Sequence, residues 1–197
     1  METQTEVMIQ FRFNEKKTTA ITVLLLKLNG GSMNYTKLLK LLYLVDREAL
    51  LRWRRPLTGD NYVSMSNGPV LSRTYNLIRN QVNSDLWNHV VLTHNYYVSL
   101  KIDTDLLDEL FDELSEREIS LIEEIDQRYK SYNFKQMIQI CHHDCPEWKA
   151  PGLSFYDDLP VEDILKALKL SAEDIKLFAE EIDDLNSIRD MFLSPLR

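Results

Sequence analysis

The chain has 197 residues, 44% of them hydrophobic and 27% charged, with a formal net charge of −8. That length supports one well-buried core, alone or with a small appendage, and the composition is that of an ordinary soluble globular protein. No apolar run reaches the roughly 18 residues a membrane helix requires, and METQTEVMIQ lacks the basic-then-apolar layout of a secretory signal, so the expected compartment is the cytosol.

Residues 6–13, EVMIQFRF, alternate as a strand does, with Val7, Ile9, Phe11 and Phe13 on one side; the alternative is an extended arm that orders only on a partner. Residues 18–28 read as a helix with Ile21, Leu24, Leu25 and Leu28 on its buried face, ended by Asn29-Gly30-Gly31. Ser32 or Asn34 is placed to cap the next helix. That helix, at about residues 35–54, is the centre of the reading. Leu38, Leu41, Leu42, Val45, Ala49 and Trp53 form a helical stripe, and Leu39, Tyr43, Leu44, Leu50 and Leu51 widen it over most of the circumference. A rod with so little face for water must be wrapped by protein. Pro56 stops it.

A strand-like run follows at residues 61–66, then Asn67-Gly68-Pro69-Val70, where Gly68 suits a positive φ and Pro69 suits the first turn of a helix over residues 70–81. Residues 87–94 and 96–102, rich in Val, Thr and Tyr, read as two strands of a hairpin that pairs with residues 62–65. Residues 105–114 form a short acidic amphipathic helix. Ser115 with Glu118 opens another through Tyr129, with Ile119, Ile122, Ile125 and Tyr129 inward. Asn133 caps a third, carrying Met137, Ile138 and Cys141. After the interruption at residues 146–152, Pro160 opens a helix with Val161, Ile164, Leu165 and Leu168. Ser171 with Asp174 opens the last, striped by Ile175, Phe178, Ile182 and Leu185. The expected fold is therefore α+β, mainly α-helical: helices around a central buried helix, with a small three-stranded antiparallel sheet. Residues 1–152 are expected as one domain and residues 153–197 as a helical extension packing on it or on a partner.

Candidate chemistry is sparse. Cys141-His142-His143-Asp144-Cys145 collects zinc-type ligands, but a structural zinc site wants two ligand pairs well apart in sequence and there is no second pair, so no metal and no other cofactor is expected. The two cysteines are expected as thiols, and a nucleophile at Cys141 or Cys145 competes with the plainer role of a small buried hydrophobe. No catalytic residue is assigned. Arg52, Arg54 and Arg55 around Trp53 resemble a nucleic-acid patch, yet the acidic balance of the chain argues against one, and arginines suit protein recognition. Charge is uneven: 12 Lys or Arg face 6 Asp or Glu up to residue 83, and 11 face 25 beyond it. Such opposite fields can orient a charged partner.

Three ordered segments, KLLKLLYLVDREALL, RRPLTGDNYVSMSNGPV and LSEREISLIEEIDQRYKSYNFKQMIQICHHDCPEW, make residues 35–148 resemble the Panacea (SocA-like) antitoxin family of bacterial and phage toxin-antitoxin systems. The chain departs from the family pattern at Ser64 and Ser66, where an aromatic or charged residue is usual. The resemblance implies a non-catalytic antitoxin that neutralises a cognate toxin by direct binding, the alternatives being an adaptor that delivers the toxin to a protease, or a DNA-binding repressor. On that reading the partner-binding residues are Arg52, Arg54, Arg55, Asp60, Tyr62, Met65 and Asn67, on an exposed loop and its flank. Gly68, Pro69, His143 and Trp148 are structural, with His143 hydrogen-bonded internally and Trp148 plugging the core. Neither a membrane nor an oligomeric state is assigned.

Overall fold

A computed structural model of the chain describes residues 9–101 and 107–193. The fold is α+β and mainly helical, organised on α2 (Tyr35–Trp53). Asn34 caps this helix by accepting from the amides of Thr36 and Lys37, and Arg54 ends it in the left-handed region at φ 56°. Leu38, Leu39, Leu41, Leu42, Tyr43, Leu44, Val45, Ala49 and Leu50 are all buried, as the wide stripe demands. Leu51, expected in that stripe, is instead 40% exposed. The burial of α2 is so complete that it takes in two charged residues, Lys40 and Asp46.

Around α2 pack α1 (Glu15–Leu28), α6 (Glu116–Arg128), α7 (Phe134–Asp144) and α8 (Val161–Ala167). α1 starts at Glu15 rather than at residue 18 because Asn14 caps it, accepting from the Lys17 amide. The expected capping box of Ser115 with Glu118 forms on α6, and Asn133, expected as a cap, forms a second box with Gln136 on α7. Smaller elements are α3 (Ser72–Ile78), α4 (Asp85–Val90) and α5 (Leu107–Phe111), and the chain closes with α9 (Ala172–Leu193). No helix among the described residues is long and apolar enough to cross a membrane.

Strand pairing differs from expectation. Two three-stranded antiparallel sheets form among the described residues. The first has the order β1 (Ser32–Asn34), β5 (Tyr97–Leu100), β4 (Val91–His94), with Met33 opposite Val98. The second has the order β3 (Gly68–Leu71), β2 (Tyr62–Met65), β6 (Tyr156–Asp158). The hairpin of β4 and β5 thus takes its third strand from the short segment leading into α2, not from β2. Residues 87–90, expected as strand, belong to α4: the Ser84 side chain accepts from the Trp87 amide, and that cap outweighs the β propensity of Trp and Val. Gly68 does hold a positive φ of 101°, but Pro69 continues a strand rather than opening a helix. Ser66-Asn67 is the two-residue turn of a tight hairpin in which Met65 faces Gly68, and β3 is an edge strand, where a residue without N–H is tolerated.

Residues 9–14 form an extended arm, not a strand. Ile9 is buried, Phe11 packs 6.2 Å from Phe178, and the Asn14 amide donates to Thr58 O at 2.8 Å. Residues 6–8 of the expected strand, residue 102 of the hairpin and residues 105–106 of the acidic helix lie outside the described residues. The segment after residue 152 lies against the rest of the chain. It supplies β6 to the second sheet and buries Val161, Ile164, Leu165, Ile175 and Phe178, whereas Leu185, expected in the same stripe, is 54% exposed.

The arm crosses the chain at Gly59, whose φ is +64° and whose missing side chain leaves room for the Arg12 carbonyl. A Cβ there would overlap that backbone oxygen. Gly59→Ala is therefore expected to lift the arm, costing about 2 kcal/mol through strain and lost contacts, read as a lower urea midpoint and faster proteolysis near residue 10.

Candidate functional site

Beyond the end of α2 the chain turns sharply back, and the turn is held from below by Asp46. Its carboxylate accepts from the amides of Leu57 (2.8 Å) and Thr58 (3.0 Å), from Thr58 Oγ1, and from Tyr62 Oη (3.0 Å). Burial pushes the Asp46 pKa up to about 6, against these four hydrogen bonds. Asp60 performs a similar task one step later. It accepts from the amides of Asn61, Arg73 and Thr74 and from Thr74 Oγ1, anchoring the start of α3, and burial raises its pKa.

This arrangement sorts the expected contact residues. Asp60 and Tyr62 are buried, at 3% and 4% exposure, because their polar atoms are spent inside the fold; they support the segment and do not face outward. Residues 58–67 are thus not the exposed loop expected, since residues 58–60 and 62–64 are buried. Arg52, Arg54, Arg55 and Asn67 are exposed and Met65 is half-buried. Arg52 is committed to a surface network, donating to both carboxylate oxygens of Glu124 at 2.8 Å and to Glu48 at 2.7 Å. Arg54 turns back on the helix end, donating to Leu51 O at 2.8 Å.

A second polar cluster was not anticipated and sits under the Gly68 turn. Lys40 is fully buried, its Nζ donating to Pro69 O at 2.7 Å, and burial pushes its pKa down to about 8. Gly68 packs over it so closely that a Cβ would fall 3.1 Å from Lys40 Nζ. Cys141 and Cys145 are buried alongside, free of any disulfide. Their mutual hydrogen bond and burial push the Cys145 thiol well up, so it is protonated at neutral pH and a poor nucleophile. Next to them Glu147, its side chain without solvent contact, accepts from Tyr43 Oη at 2.6 Å and Arg47 Nε at 2.6 Å. The sequence signal was there: Lys40, Asp46 and Arg47 interrupt the wide apolar surface of α2.

His143 does not make the internal hydrogen bond expected of it. Its side chain is 90% exposed and meets the neighbouring Asp144 carboxylate. Its predecessor makes the ring contact instead: His142, itself exposed, stacks on Trp148 with centroids 3.8 Å apart, and partial burial lowers its pKa. Trp148 is half-buried and donates from Nε1 to Met65 O at 2.9 Å, tying the residues after α7 to β2. Among the described residues no group of three or more His, Cys, Asp or Glu could hold a metal ion.

A groove of about 1430 Å³ runs between the arm, the end of α2, the start of α6 and α9. Arg54 and Arg55 are on its border. No curated protein and no solved structure matches the chain. The family described as antitoxin SocA-like, Panacea domain, does match, over residues 38–149, a stretch that covers more than half of the chain and holds α2 from Leu38 on, the Asp46 and Lys40 clusters and Trp148; the protein belongs to that family.

Proposed function

We propose that the protein is an antitoxin that neutralises a cognate toxin by direct protein–protein binding. The observation that carries this reading is the family match over residues 38–149. The character of the polar clusters supports it: Lys40, Cys141, Cys145 and Glu147 are sealed from solvent, so their role is to stiffen a platform and not to meet a substrate. The toxin contact runs over Arg52, Arg54, Arg55, Met65 and Asn67, with Asp60 and Tyr62 holding that surface from beneath. Exposed arginines are the residues most apt to anchor such a contact, because a planar guanidinium pairs with carboxylates in two-pronged fashion.

Co-expression with the product of the adjacent reading frame tests the proposal. Rescue of growth together with co-purification is the expected result, and an adjacent product that is harmless alone, or toxic but neither bound nor neutralised, would refute it. With a bound toxin in hand, the double reversal Arg54→Glu/Arg55→Glu is expected to weaken binding at least about tenfold, close to 1.4 kcal/mol, with unfolding unchanged. Calorimetric titration against wild type reads this directly.

A further inference from the structure

We propose that the groove between the arm and α9 seats an acidic, amphipathic helix of the partner protein. This rests on the antitoxin reading for the partner's identity, but the geometry and charge of the groove carry the chemistry of its occupant.

The size comes first. An α-helix about 10 Å across and three turns long fills roughly 1300 Å³, close to the 1430 Å³ available. The lining is two-sided. Phe11, Trp53, Phe178 and Ile182 make an apolar floor continuous with the core. Leu185, Ile188 and Phe192 of α9 line one wall at 54%, 47% and 84% exposure, an apolar stripe that continues the buried Ile175 and Phe178 but has no cover of its own. An occupant must offer apolar side chains at matching helical spacing to cover it.

The rim sets the sign of the charge. Arg54, Arg55, Arg117 and Arg189 border the groove, and among the described residues no carboxylate pairs with any of them. Arg54 finds backbone carbonyls and Arg117 stacks over the Trp53 ring at 4.8 Å. The groove's other cations are already matched, Lys17 with Glu118 and Arg12 with Asp190. In a chain of net charge −8, four unmatched guanidinium groups around one apolar trough complement a ligand carrying carboxylates. A nucleic acid is the poorer fit, because a line of phosphates offers no apolar face to cover Leu185, Ile188 and Phe192 or to meet the floor of Phe11, Trp53 and Phe178.

The test uses the full chain and a labelled designed peptide about 12 residues long, with Leu and Phe at helical spacing and Glu elsewhere. A twin with Lys for Glu and a single-stranded RNA of similar length are the comparison probes. Fluorescence anisotropy is expected to show the acidic peptide binding at least about tenfold tighter than its basic twin, with Arg55→Glu/Arg189→Glu reversing that order and circular dichroism unchanged. Amide exchange is expected to slow in residues 181–192 on binding. Equal affinities for the twins, a preference that survives the reversal, or tighter binding of RNA would each overturn the proposal. Competition against the adjacent gene product then separates the two readings. If the peptide binds as expected but that product does not bind, the antitoxin reading falls and the groove stands; if the product binds and the peptide fails to displace it, the groove is not the toxin's seat while the antitoxin reading survives.

Discussion

Replacing Glu147 by alanine is expected to destabilise the protein by about 3–5 kcal/mol, a large share of the roughly 5–15 kcal/mol that holds a domain of this kind together. Glu147 follows α7 and points inward at α2, where its carboxylate takes hydrogen bonds from Tyr43 Oη at 2.6 Å and from Arg47 Nε and Nη2 at 2.6 and 3.3 Å. Neither donor has an alternative. The Glu147 side chain has no exposure and that of Arg47 has 17%, so deleting the carboxylate leaves a nearly buried guanidinium without counter-charge and a phenol without acceptor. Burial works against the Arg47 charge, and the hydrogen bond and charge of Glu147 outweigh it, raising the Arg47 pKa. Urea unfolding should show a much lower midpoint at unchanged slope. Glu147→Gln, which keeps an acceptor for Tyr43, should fall between. Removing both partners with Arg47→Met/Glu147→Leu should recover much of the loss, because the cost is the stranded charge and not the missing attraction. A Glu147→Ala variant as stable as wild type would mean that the residues after α7 are not fastened here.

The same physics divides what the sequence made legible from what it did not. The burial of α2 could be read because it depends on periodicity alone, and a helix apolar on nearly every side has one stable environment. The caps at Asn34, Ser115 and Asn133 were legible for a related reason: each is a contact within four residues along the chain. Strand partners were not, because pairing is decided by which edges meet after the helices have packed. Met33 opposite Val98 and Ser64 opposite Asp157 join residues far apart in sequence, and no local pattern encodes them. Asn67-Gly68 shows the limit most sharply. The glycine's positive φ was foreseen, but the following proline suggested a helix start, when an edge position in a hairpin satisfies proline equally well. Among the expected contact residues, polarity was mistaken for exposure at Asp60 and Tyr62, whose hydrogen-bonding groups serve the fold. At the end of α7, two adjacent histidines point in directions about 100° apart, and only the position of Trp148 decides that His142 is the one held.

Asp46 is expected to make stability depend on pH in the opposite sense to an ordinary ion-paired carboxylate. Its folded pKa of about 6 exceeds the ordinary 3.8 because burial disfavours the charge more than four donors favour it. Between pH 4 and 6 the folded protein therefore holds a proton that the unfolded chain has released. The stabilisation from this group is fully present below the unfolded value and is lost as pH rises through 6. The difference corresponds to about 3 kcal/mol, undiminished by solvent because the side chain is fully buried. Glu118 titrates the other way, its pKa lowered despite burial by the hydrogen bond from Lys17, so the total pH profile mixes signs. Asp46→Asn isolates the term, since the variant keeps the shape and every other carboxylate but cannot ionise. Urea unfolding of both proteins from pH 4 to pH 7 should show the wild type losing ground to Asp46→Asn by about 3 kcal/mol, with the change centred between the two pKa values. Parallel profiles would mean that Asp46 is ionised throughout. The consequence reaches the proposed contact surface, because Asp46 binds the amides of Leu57 and Thr58, the turn that fixes where Arg54 and Arg55 stand. Ionisation of this one carboxylate is then a strain placed directly beneath the arginines that a toxin would meet.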